Sequence, residues 1–162
     1  MVQKTVLFLE EISIEILDVL GEDWRTVLRY MGEYLVNKGY AKESYIDALL
    51  KREENYPTGI EIPFGVNVAI PHAEVEHVLR QALIIGVPNK PVIFHNIEEP
   101  EDIVEVDLIL LLVINNPDGY LNFLSNLTLL FQEEDFIRFA KEKSYRKLAN
   151  LIIERCLKGK KK

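Results

Sequence analysis

Hydrophobic and polar positions alternate between two periods along this chain. From Asp23 to Lys38 the apolar residues Trp24, Val27, Leu28, Met31, Tyr34 and Leu35 recur at helical spacing, which predicts a helix. Asp23 is placed to cap its start, and Gly39 to stop it. Glu43 to Asn55 predicts a second helix with Tyr45, Ile46, Leu49 and Leu50 inward, and Pro57 forbids its continuation. Thr5 to Leu9 reads as a short first strand. The centre then changes to short runs rich in β-branched residues: Val66 to Ile70, Ala82 to Val87, Val92 to Phe94 and Val104 to Ile114. Gly65, Pro88-Asn89 and the stretch from Glu98 to Pro100 punctuate them. After Pro117 the helical period returns, with Tyr120, Leu124, Leu127 and Phe131 on one stripe and Leu121 and Leu130 beside it. Phe136 to Ala140 and Tyr145 to Leu157 predict two closing helices. Helices, then mostly strands, then helices imply an α/β sandwich with a central mixed sheet flanked by helices.

Composition narrows the function class. The chain has 162 residues, a length that suits a single domain with an adequate core, expected over residues 1–157 with a basic tail at 158–162. A net charge of −7 disfavours a nucleic-acid partner. The one cysteine, Cys156, precludes an internal disulfide, reads as a small hydrophobe, and fits a cytoplasmic location. The longest apolar run, Leu108 to Ile114, is far shorter than the about 20 residues a membrane helix needs.

The most informative stretch is Val68-Ala69-Ile70-Pro71-His72-Ala73, where a strand meets a proline and presents a histidine. Proline fixes the backbone there, so His72 is expected to leave the sheet edge and point outward. A zinc site among His72, His77 and His95 is disfavoured, since the spacing of His72 and His77 is not helical and no cysteine cluster completes a set. No Gly-x-Ser-x-Gly elbow, phosphate loop or dinucleotide fingerprint occurs, so no cofactor is expected. Glu53-Glu54 and Glu98-Glu99 read as solvated turns. Two readings of His72 stay open at this point: a satisfied surface histidine, or a lone nucleophile. Without metal or triad, a neutral imidazole is suited to accepting a phosphoryl group in line, given positive charge for the oxygens. Arg52, on the last turn of the second predicted helix, would supply it in a fork geometry.

An ordered set of segments resembles the enzyme IIA domains of the bacterial phosphoenolpyruvate-dependent sugar phosphotransferase system, fructose/mannitol class. They are Val36 to Tyr45, Arg52-Glu53 with Tyr56-Pro57-Thr58-Gly59, Val68 to Ala73, Asn89-Lys90-Pro91-Val92, and the strand Val106 to Ile114. The resemblance spans roughly Asp18 to Ile153 and implies a phosphoryl carrier. His72 would accept the group on Nε2 from HPr, with Nδ1 bonded to a backbone carbonyl. Arg52 would stabilise the phosphate, with Thr58 in a loop near the site. Enzyme IIB would take the group on its cysteine and pass it to sugar at a membrane enzyme IIC. No IIB or IIC segment is recognised, so a stand-alone protein with transient partners is expected. Many relatives carry a second histidine where this chain has Tyr120. Tyr120 is then either a hydroxyl donor to the phosphoryl group or a core aromatic. The galactitol-type branch also lacks that histidine, and Tyr56-Pro57-Thr58-Gly59-Ile60 leans toward it. Ile62, Phe64 and Val75 are candidates for an apolar docking patch, or else part of the core. Relatives in nitrogen regulation and transcription suggest the alternative of a regulatory module that reports to a protein partner. An inactive fold relative is the weakest alternative, since Arg52 and His72 are both present.

Overall fold

The computed structural model describes residues 2–7 and 10–157. The basic tail 158–162 and the Phe8-Leu9 end of the first predicted strand lie outside the described residues. In chain order the elements are β1 (Gln3–Leu7), β2 (Glu10–Val19), α1 (Trp24–Asn37), α2 (Ser44–Asn55), β3 (Gly59–Ile62) and β4 (Val66–Ala69). They continue with β5 (Gln81–Pro88), β6 (Val92–His95), β7 (Ile103–Val106), β8 (Leu108–Val113), α3 (Pro117–Leu130), α4 (Glu134–Lys141) and α5 (Tyr145–Ile152). A π-helical turn, Ile153–Leu157, closes the described chain.

The expected mixed α/β architecture is what the chain adopts. A six-stranded sheet runs in the order β1-β2-β5-β8-β4-β3, and β6-β7 form a separate hairpin. β2 with β5 and β4 with β8 are parallel, while the other neighbouring pairs are antiparallel. β8 lies inside the sheet and is buried at every position. Leu108, Leu110 and Leu112 face a core shared with α3, α4 and α5. Ile109, Leu111 and Val113 face a second core shared with α1, α2 and the β6–β7 hairpin. A strand covered on both faces must be apolar throughout, which is why its sequence shows no alternation. Each such leucine buried contributes on the order of 1.5–3 kcal/mol.

The first helix follows its sequence signals. The Asp23 side chain accepts from the Thr26 amide at 2.9 Å, and Gly39 takes a φ of 79° beyond the helix end. Other expectations need correction. β2 was not anticipated, because its burial breaks the alternation of a half-buried strand: Ile12 to Glu15 are all buried, Ile16 is exposed, and Val19 is buried again. Glu15 is tolerated inside because the Tyr34 and Tyr40 hydroxyls both donate to it. The run Val104 to Ile114 is two strands in different sheets, broken at Asp107, whose amide and carboxylate both bond the Asn67 backbone. On α3 the expected stripe of Tyr120, Leu124, Leu127 and Phe131 does pack on the core with Leu130, but it also takes in Phe123, while Leu121 is exposed.

β4 is not an edge strand, so His72 does not leave the sheet edge. It lies between β8 and β3, and its pairing with β8 resumes beyond Pro71 as a bridge between His72 and Leu112. The Leu112 amide donates to the Pro71 carbonyl at 3.1 Å. On the other side, β3 begins at Gly59, against the β6–β7 hairpin. A Cβ on Gly59 would stand 2.6 Å from the His95 carbonyl oxygen, so the close approach demands glycine. Gly59→Ala is expected to lose about 1–3 kcal/mol in urea unfolding, through displaced backbone. An unchanged midpoint would show that the hairpin yields freely.

Candidate active site

α2 ends beside the end of β4. Arg52, on the last turn of α2, and His72, just past β4, line one hollow of about 360 Å³. Ala73, Glu74, Val75, Pro117, Tyr120, Leu121 and Leu124 complete it. The His72 ring is half-buried, so one edge remains accessible.

The ring is held by its backbone. Its Nδ1 lies 3.0 Å from the Ile70 carbonyl oxygen. A carbonyl only accepts, so Nδ1 carries the proton, and Nε2 keeps its lone pair. Burial lowers the His72 pKa from its usual value, and the charge of Arg52 acts in the same direction. The Ile70 carbonyl and Glu74 oppose them. The neutral form is therefore favoured.

Arg52 is poised differently. Its Nε is buried with no hydrogen-bond partner among the described residues. Its guanidinium carbon lies 5.3 Å from the centre of the exposed Tyr56 ring, a cation–π contact. A buried unpaired donor on a cation is a place for an anion.

Tyr120 forms the wall, its ring centroid 5.0 Å from that of His72. Its hydroxyl is already committed. It lies 3.0 Å from the Ala73 carbonyl oxygen and 3.2 Å from that of Leu112, and accepts from the Ile114 amide at 3.3 Å. Burial pushes its pKa up to about 12. Of the two readings of Tyr120, these bonds are those of a core aromatic, although its ring also lines the hollow.

Thr58 does not line the hollow. It is buried, and both its amide and its hydroxyl donate to Glu53, at 2.7 and 2.8 Å. Glu53 is therefore no solvated turn residue but a buried carboxylate on the last turn of α2. Burial pushes its pKa up to about 7, against the Thr58 bonds and Arg52. Glu54, in contrast, is exposed and pairs with Arg25. A buried carboxylate next to Pro-Thr-Gly is the signal that sequence reading missed. The suggested docking patch also breaks up. Val75 lines the hollow, Ile62 belongs to the core, and Phe64 sits at the β3–β4 turn in a different hollow with Ile137 and Arg138. Leu121, 69% exposed, is the apolar residue that sequence reading left out of the patch. The other histidines are engaged elsewhere: Nδ1 of His77 with the Ser44 hydroxyl, and Nδ1 of His95 with the Pro100 carbonyl. Cys156 is buried, and burial pushes its thiol up to about 12.

A neutral imidazole with a free Nε2, beside an unpaired guanidinium, suits attack on a negatively charged electrophile. Comparison with known proteins gives this chemistry its class. Residues 7–155 match the family described as "Phosphoenolpyruvate-dependent sugar phosphotransferase system, EIIA 2", and the chain belongs to that family. It is thus a phosphotransferase of the kind that works through a phosphohistidine intermediate. The "PTS system galactitol-specific EIIA component" of Escherichia coli K12 is 31% identical over 115 residues, which cover 71% of this chain and 75% of that protein. Among solved structures, the complex of enzyme IIAMTL and phosphorylated enzyme IIBMTL from Escherichia coli matches at 26% identity with a TM-score of 0.59. The match covers 78% of this chain and 83% of that one. The nitrogen regulatory protein IIA-Ntr from Neisseria meningitidis shares the fold at 23% identity and a TM-score of 0.59, over 78% of this chain and 83% of that one. No helix among the described residues is long and apolar enough to cross a membrane.

The pKa directions make a prediction. With the folded His72 value below the usual value of about 6.5, the unfolded chain binds the proton first as pH falls. This group's stabilisation is full above about 6.5 and is lost as pH falls through the folded value. Glu53 has the opposite slope, because its folded carboxyl keeps the proton up to about 7, and its contribution declines as pH rises through that window. Histidine 15N spectra should show His72 as the Nδ1–H tautomer, protonating below the ordinary range. A pKa above about 6.5, or an Nε2–H form, contradicts the geometry.

Proposed function

We propose that this chain is a cytoplasmic phosphoryl carrier, with Nε2 of His72 as the acceptor, HPr as the donor and a IIB protein as the recipient. The observation that carries it is the pairing, in one hollow, of a ring held through Nδ1 and an arginine Nε with no partner. In the forward step the Nε2 lone pair attacks phosphorus in line, the N–P bond forms, and the bond to the donor breaks. The Nδ1 proton stays on the ring, shared with the Ile70 carbonyl. In the onward step a thiolate attacks the same phosphorus, and the N–P electron pair returns to Nε2. Arg52 binds the equatorial oxygens in both steps. Glu74, also lining the hollow, repels them and keeps the phosphoryl group transferable.

The route is sugar uptake, of the galactitol type. The 31% identity to a galactitol-specific EIIA component supports this, as does a tyrosine where a second histidine stands in many relatives. A regulatory role would use the same site but would not pass the group on. The two are separated by offering the phosphorylated chain a galactitol-type IIB protein and following the phosphoryl group.

Incubation with enzyme I, HPr and phosphoenolpyruvate should add one phosphoryl mass to the wild type and none to His72→Ala. Arg52→Ala should fold yet accept the group about 10²- to 10³-fold more slowly. Phosphorylation of His72→Ala at the wild-type level removes His72 from the reaction, and full activity in Arg52→Ala removes the guanidinium.

Docking is the second test. Leu121 is exposed at the rim of the hollow, where a partner must approach. Leu121→Glu should keep the thermal midpoint and raise KM for the phosphodonor protein about tenfold, the equivalent of roughly 1.4 kcal/mol, with little change in kcat. An unchanged KM places the docking surface elsewhere.

A further inference from the structure

A line of hydrogen bonds runs from α2 to the imidazole. The Glu53 carboxylate accepts the Thr58 amide at 2.7 Å and the Thr58 hydroxyl at 2.8 Å. The Thr58 carbonyl accepts the Ile70 amide at 3.3 Å. The Ile70 carbonyl in turn faces Nδ1 of His72 at 3.0 Å. Glu53 and Thr58 are both buried and neither lines the hollow, so neither touches a group bound there. The line starts one residue from Arg52, so it links the two chemical groups of the site across the gap between α2 and β4.

We propose that Glu53 is a positioning residue for phosphoryl transfer: by gripping both Thr58 donors it holds the Ile70 peptide in register and so fixes the tautomer and aim of His72. This rests on His72 being the phosphoryl acceptor. The physical logic is that of a shared anchor. A carboxylate with two donors from one residue allows that residue very little rotation, and above about pH 7, where Glu53 is ionised, each bond to it is charge-assisted. The segment 56–58 is thereby fixed to the end of α2. Its remaining carbonyl then presents a fixed acceptor to β4, beyond which Pro71 can donate nothing from its nitrogen. Without the grip, Thr58 is free to turn, the Ile70 amide loses its acceptor, and the Ile70 carbonyl is less firmly aimed at the ring. The imidazole then samples the Nε2–H tautomer, which has no lone pair where the phosphorus arrives. A pKa raised to about 7 by burial marks the carboxylate as dry, which strengthens its bonds to Thr58.

The test uses the full chain and three variants: Glu53→Gln, Thr58→Val and Thr58→Ser. Glu53→Gln keeps the volume but loses the charge and one acceptor. Thr58→Val keeps the shape but loses the hydroxyl donor, and Thr58→Ser keeps that donor. Long-range 1H–15N spectra of histidine-labelled protein at about pH 8 read the tautomer of a neutral ring. Glu53→Gln and Thr58→Val should lose the single Nδ1–H signature of His72 while the His77 and His95 signals stay in place. Both should accept the phosphoryl group from HPr about 10- to 100-fold more slowly at unchanged KM, and Thr58→Ser should restore both readouts. A folded Glu53→Gln or Thr58→Val with wild-type tautomer and rate overturns the proposal. Should one of these fail to fold, the other decides. If the wild type is never phosphorylated, the carrier reading fails while the spectra still decide the role of Glu53. If the wild type is phosphorylated and the variants match it, only the role of Glu53 falls.

Discussion

The site depends on one hydrogen bond between backbones: the Leu112 amide to the Pro71 carbonyl. Leu112 is buried in β8, a strand packed on both faces and paired on both edges. Anything tied to it inherits the rigidity of the core. Proline has no amide, so the ladder has no donor at residue 71, yet pairing resumes at His72. The histidine is thus fixed to the most constrained strand of the molecule while its side chain projects beyond the end of β4. Under the proposed function the histidine must meet two different partner proteins, and this rigidity presents it ready to both.

Electrostatics then decides how the site rests. Burial and Arg52 both disfavour a protonated ring, and the Ile70 carbonyl and Glu74 favour it. The first pair prevails, so the free protein holds a neutral imidazole beside a full positive charge. The unpaired Arg52 Nε carries a penalty in that state, on the order of 1–3 kcal/mol for a buried donor without a partner. Under the proposed function, a bound phosphoryl group removes this penalty and gains charge-assisted bonds. The resting structure is therefore less comfortable than the loaded one, and Glu74 limits the difference so that the group can leave again.

Much of the fold was legible because its signals are local. Asp23 capping α1 and the stop before Pro57 are read within a few residues. Arg52 and His72 were both found in sequence, and they share a hollow. What escaped depends on contacts distant in the chain. β2 buries Glu15 only because Tyr34 and Tyr40 come from elsewhere to bond it. Glu53 reads as solvated until Thr58, expected in a loop near the site, folds back on it and uses both its donors there. The break at Asp107 needs Asn67 across the sheet. On α3 Phe123 turns inward and Leu121 outward, a rotation that places Tyr120 against the end of β8.

That hydroxyl bears on how transfer proceeds in this chain. Two carbonyls, of Ala73 and Leu112, compete for its single proton, and the Ile114 amide occupies its acceptor side. Donation to a phosphoryl oxygen would break a buried bond and leave a carbonyl bare, at a cost comparable to the gain. A pKa pushed up to about 12 makes release of the proton harder still. Tyr120 is therefore better placed to shape than to catalyse. It seals one face of the imidazole, ties α3 to the end of β8, and under the proposed function leaves charge stabilisation to Arg52. A second histidine at that position would bring a donor able to follow the phosphoryl group. Under the proposed function, with tyrosine there, any further positive charge in the transition state has to come from the docking protein, across the rim where Val75, Pro117 and Leu121 lie.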